Sequence, residues 1–100
     1  LTAKGTRELE TLVGEALASE ESVYSDRIAG LIFSLSLPRM QARAKVGSAI
    51  DGMDGALESL RAERKRMAGD QLALIVLDYY SAIYKAEQAA MKAVRERLLK

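Results

Sequence analysis

Pro38 is the only proline in the chain, and nearly everything after it is written for helix. Proline removes a backbone donor and breaks helix interiors, so its absence leaves the i→i−4 ladder free to run. Between Arg39 and Lys100 the one interruption is Met67-Ala68-Gly69-Asp70. The basic side chains of Arg61, Arg64, Lys65 and Arg66 precede it, where cations suit the C-terminal end of a helix dipole. Gly69 suits a left-handed C-cap and Asp70 can cap the next helix. The pattern therefore predicts two long helices, one ending near Met67 and one running from Gln71 nearly to Lys100. A connection this short makes them antiparallel neighbours. Upstream, Ser36 is expected to cap the first of the two, with Pro38 in its first turn, where the missing N–H costs nothing.

The rest of the chain reads as two shorter helices. The first is expected from about Ala3 to Ala18, with Leu9, Leu12, Val13 and Leu17 on one face and Thr2 as its N-cap. Ser19-Glu20-Glu21-Ser22 breaks it. Ser22 or Ser25 then caps a second helix, roughly Val23 to Leu35, with Tyr24, Ile28, Leu31, Ile32 and Leu35 at helical spacing. Phe33, Leu35 and Leu37 alternate with Ser34 and Ser36 as a strand would, but one strand would have no partner here, and helix is the reading kept. Composition agrees: hydrophobic residues make up 49% of the chain, yet the aromatics are four Tyr and one Phe. The expected class is all-α, with four helices, the last two a long antiparallel hairpin, packed as a homodimer.

The dimer is read from faces that one chain cannot cover. At 100° per residue, Val46, Ile50, Met53, Leu57 and Leu60 form one stripe of the third helix. Gly52, Gly55, Ser48 and Ser59 gather nearly opposite. The acids Asp51, Asp54 and Glu58 share a strip only about 60° wide. A water-facing strip that narrow implies two packed faces, one in the hairpin and one against something else. Gly47, Gly52 and Gly55 each cost about 1 kcal/mol against Ala in a helix interior, and close helix approach would offset that cost. In the fourth helix, Leu72, Leu74, Ile75, Val76, Leu77, Tyr79 and Tyr80 leave Asp78 as the sole polar break and the expected solvent-facing residue. The expected subunit contact is Leu72, Ile75, Val76, Tyr79, Tyr80 and Ile83, with Gly52 and Gly55.

Chemistry is narrowed by what is missing. With no Cys and no His, the usual nucleophile–base pairs, soft metal sites and disulfides fall away. No residue set supports catalysis, and the chain is read as neither an enzyme nor a cofactor binder. Asp51, Asp54 and Glu58 have a spacing that could face a cation, but without a second acidic helix they read as a solvated strip. The clusters Arg61, Arg64, Lys65, Arg66 and Lys92, Arg95, Arg97, Lys100 read as dipole-compatible surface rather than phosphate sites. Fifteen Lys and Arg against fourteen Asp and Glu leave a net charge of +1, too small for a strong pull toward DNA or acidic membranes. The longest apolar run, Leu72 to Leu77, is far short of the ~20 residues of a membrane span, and cytoplasmic residence is expected. Tyr80 and Tyr84, with Tyr79 beside them, could line a pocket for a small aromatic effector. A dimer core with hydroxyls reaching its edge is the preferred reading.

The opening residues add a likeness. Leu1, Thr2, Gly5 and Leu9 make a Leu-Thr-x-x-Gly-x-x-x-Leu pattern that resembles the segment leaving the wing in PadR-family transcriptional regulators. The long helical remainder resembles the C-terminal dimerisation domain of the larger members. The resemblance implies a linker helix over 1–22 leaving a winged-helix domain that is missing here, and a dimerisation domain over 23–100. It also implies contact with DNA through that missing domain alone, coupling to an effector, and two DNA-reading heads held at fixed spacing, as in a repressor. The alternative is a free-standing helical interaction module, such as a secretion chaperone or scaffold subunit.

Overall fold

The computed structural model describes residues 2–18 and 25–100. Among them are four helices and no strand: α1 (Ala3–Leu17), α2 (Asp26–Ser34), α3 (Arg39–Arg66) and α4 (Gln71–Leu98). Leu1 of the opening pattern, the expected break over 19–22, the alternative cap Ser22, and Val23 and Tyr24 lie outside the described residues.

Local signals account for most helix ends. The Thr2 hydroxyl accepts from the Gly5 amide at 3.0 Å and starts α1, Ser25 accepts from Ile28 at 3.1 Å and starts α2, and Asp70 accepts from Ala73 at 3.0 Å and starts α4. Each satisfies one donor that the first turn leaves without an intrahelical partner.

Two expected caps are not used. Ser36 does not cap α3: the helix starts at Arg39, and Ser36 lies in the turn that carries the chain out of α2, its amide tied to the Phe33 carbonyl at 3.0 Å. Pro38 is itself the N-cap, with ψ at 142° and no side-chain cap bond, so it precedes the first helical turn instead of lying in it. Gly69 is not left-handed either: no described residue has positive φ. The turn closes through Met67 instead, whose amide donates to Glu63 while its carbonyl accepts from Asp70, both at 2.9 Å. The alternation from Phe33 to Leu37 is the end of α2 and the turn that leaves it, not a strand.

The hairpin is the body of the fold. The stripe expected on α3 faces α4, with Val46, Ile50 and Met53 buried and Leu57 and Leu60 half-buried. Met91 of α4, Leu99 at its C-cap and Leu31 of α2 complete the core, with Ile28, Tyr84 and Val94 packed against it. Ala42 is wholly buried where α3 begins. Arg43 reaches across to the Leu99 carbonyl at 3.0 Å, placing a cation at the end of α4 where the dipole favours one. Helix α1 contributes nothing to this core. It makes no packing contact with α2, α3 or α4 among the described residues, and Leu9, Leu12, Val13 and Leu17 are exposed. No helix among the described residues is long and apolar enough to cross a membrane.

Candidate functional site

The site is built on the two sides of α4. In its first half, Leu74, Leu77 and Ser81 are half-buried and follow one another at helical spacing on the side that meets α3. The opposite side carries Leu72, Ile75, Val76, Tyr79 and Tyr80, all exposed: Leu72 at 70%, Ile75 at 65%, Tyr79 at 60%. The rings of Tyr79 and Tyr80 meet edge-on, 5.4 Å between centroids and 63° between planes. Five large apolar or aromatic side chains in one contiguous strip exceed the scattered exposed residues of an ordinary surface.

Further along, the same side of α4 changes character. Ile83 is half-buried, and Glu87 and Met91 are buried where α2 lies against them. Helix α2 is held there by a polar cluster absent from the sequence reading. Arg27 pairs through Nε with Glu87 Oε2, and the Ser25 hydroxyl donates to Glu87 Oε1 at 2.9 Å. The Arg27 guanidinium stacks 4.8 Å from the centroid of the Tyr84 ring. The hydrogen bond to Glu87 is the main reason that the Arg27 pKa is raised; burial opposes it. The available signal was one carboxylate, Glu87, on the face that also carries Ile83 and Met91. Its partner could not be read from spacing.

Of the residues expected at a subunit contact, the structure brings Leu72, Ile75, Val76, Tyr79 and Tyr80 together on one bare strip and puts Ile83 at its margin. Gly52 and Gly55 lie elsewhere, on exposed positions of α3. A Cβ added at either would meet nothing within 4 Å, so no helix among the described residues makes the close approach that would offset their cost. Tyr80 and Tyr84 part company: Tyr80 lies on the bare strip, and Tyr84 packs against the core beneath Arg27. An apolar groove of about 380 Å³ lies between α2 and α3, lined chiefly by Leu31, Phe33, Leu37, Val46 and Met91, with Arg27 and Lys45 also in its wall.

The charged residues are largely occupied with one another. Arg64 reaches Asp78 across the hairpin with two hydrogen bonds, 2.8 and 3.4 Å, Arg66 pairs with Glu63 and Arg61 with Glu58 at 2.6 Å. These bonds hold the Asp78 and Glu63 carboxyls below their ordinary values, against a smaller opposing effect of desolvation. Asp78 is exposed, as expected, but engaged. Asp54 accepts from the buried Gln88 amide at 2.7 Å, so the acidic strip of α3 is partly used within the hairpin. No group of acidic residues able to hold a metal ion occurs among the described residues. Compared with protein-family models, curated proteins and solved structures, the chain finds no match.

Proposed function

We propose that this chain is the dimerisation and effector-coupling domain of a PadR-like transcriptional regulator, a repressor whose two DNA-reading heads it holds at fixed spacing. The observation that carries association is the bare strip Leu72, Ile75, Val76, Tyr79 and Tyr80 on α4. A hairpin with its inner side already packed keeps such a strip only if another surface covers it. The Leu-Thr-x-x-Gly-x-x-x-Leu likeness supports the regulator reading, with α1 as the rod between head and hairpin. The groove between α2 and α3 suits a small aromatic effector. Its wall includes Arg27, which also touches Tyr84 and Glu87, so an occupant there would bear on how α2 is seated. Sedimentation velocity at tens of micromolar tests the association: a dimer is expected, and a monomer overturns the reading.

A further inference from the structure

Two apolar stripes lack a partner among the described residues, and they share one spacing. On α1 they are Leu9, Leu12, Val13, Ala16 and Leu17; on α4, Leu72, Ile75, Val76, Tyr79 and Tyr80. Both follow the i, i+3, i+4, i+7, i+8 repeat of helices that pack lengthwise. We propose that the α4 strip is the docking site for α1 of a second copy of this chain, exchanged reciprocally about a two-fold axis. This rests on the association proposed above and names its contact.

Charge sets the direction. On α1, Glu8 and Glu15 border the same edge of the stripe. On α4 the corresponding edge is a cleft lined by Arg61, Arg64, Lys85 and Asp78 together with Leu57 and Ser81, three cations against one carboxylate. Even with Glu58 on Arg61 and Asp78 on Arg64, Lys85 has no ion-pair partner among the described residues. Corresponding edges of two helices meet only when the helices run antiparallel. In that orientation Leu9, Leu12, Val13, Ala16 and Leu17 fall level with Ile83, Tyr80, Tyr79, Val76 and Ile75. Glu8 then lies beside Lys85, and Glu15 comes to Asp78, where Arg64, already bound to Asp78 at 2.8 Å, stands between the two carboxylates.

The occupant is a second copy for two reasons. First, α1 stands clear of its own hairpin in the structure. Second, Ser25 is fixed at Glu87, so an antiparallel α1 of the same chain would end beside Ile75, roughly 18 Å back along α4. The chain from Ala18 to Ser25 spans about 24 Å at full stretch, which leaves little after the lateral offset of roughly 9 Å between packed helices. Reciprocal exchange covers the α1 stripe and the α4 strip from Ile75 to Tyr80 in both copies without that demand, in an isologous contact.

The chain has no cysteine, so introduced thiols report cleanly. Ala16→Cys and Val76→Cys chains, mixed in a glutathione redox buffer, should form a disulfide between unlike chains in preference to either like pair. The double variant should give a covalent dimer with two bridges. An internally bridged monomer, or a bridge between two Val76→Cys chains, overturns the exchange. Sedimentation of the unmodified chain separates the two claims: a monomer removes both, and a dimer without the Ala16–Val76 bridge removes only this one. Glu8→Lys should weaken the dimer about two- to fivefold, as exposed pairs do, and Lys85→Glu in the same chain should restore it. No restoration would overturn the antiparallel alignment.

Discussion

Arg27 and Glu87 are separated by 60 positions in sequence and joined by an ion pair that seats α2 on α4. The Glu87 side chain is 9% exposed and that of Arg27 is 43% exposed, so the carboxylate is the partner that depends on the bond. Arg27→Ala should destabilise the fold by about 1–2 kcal/mol, the penalty of an unpaired buried charge discounted for the open side of the pair. Glu87→Gln, which keeps an acceptor for Ser25, should cost less. Urea denaturation of the three proteins followed by circular dichroism checks the order.

The bare strip makes a prediction about association. Val76→Asp or Tyr80→Asp should abolish dimerisation at micromolar concentration, since a carboxylate buried there without a partner costs several kcal/mol. Asp78→Ala should leave the dimer largely intact, because Asp78 faces Arg64 along the hairpin edge. Far-ultraviolet circular dichroism must show all three variants helical. Folded dimers of unchanged affinity for Val76→Asp and Tyr80→Asp would put the subunit contact elsewhere.

Acid should loosen the hairpin turn. The carboxyls of Asp78 and Glu63 are held below their ordinary values by Arg64 and Arg66. A depressed carboxyl contributes stability above its unfolded value, roughly pH 4, and loses it as pH falls through the lowered folded value. Stability should therefore be level in this respect from pH 8 to 5 and decline below about 4. Asp78 is exposed and Glu63 only half-buried, so the slope should be shallow. Asp78→Asn should reduce it, as read by thermal midpoints across pH.

Gly52 and Gly55 are sites where the helix itself can be improved. With open space around a new Cβ at each, Gly52→Ala and Gly55→Ala should each stabilise the fold by up to about 1 kcal/mol. Thermal melts check this. A variant that gains helix stability but loses association would mark this side of α3 as a second subunit contact.

The isolated chain should not bind duplex DNA tightly near physiological salt. Its net charge is +1, and three of the cations at its basic helix end, Arg61, Arg64 and Arg66, are paired with Glu58, Asp78 and Glu63. Fluorescence anisotropy with operator-like duplexes should show no nanomolar binding. Such binding would contradict placing DNA readout in another domain.

What could be read in the sequence follows the range of the interactions. Thr2 and Asp70 cap amides three positions away, and the α3 stripe from Val46 to Leu60 repeats every turn, so a one-dimensional reading sees them. The turn chemistry was only half legible. Gly69 permits a left-handed conformation, but Met67 and Asp70 close the turn without one, and Ser36 competes with Pro38 for the same helix start. Ser25, Arg27 and Glu87 meet only after α2 has packed against α4. No spacing rule could pair them, and the same holds for Gln88.

Gln88 carries a consequence of its own. Its side-chain amide donates to the Ile50 carbonyl at 2.9 Å and to Asp54 at 2.7 Å, at a point where apolar side chains meet on both helices. Stripes of aliphatic side chains tolerate sliding by a turn, since a leucine lost from one notch is replaced by the next. A buried amide does not, because slippage leaves it without partners in a place largely closed to water. Gln88 thus acts as a pin through two 28-residue rods. It sets how far α4 projects beyond α2, and so where along the molecule its uncovered stretch begins.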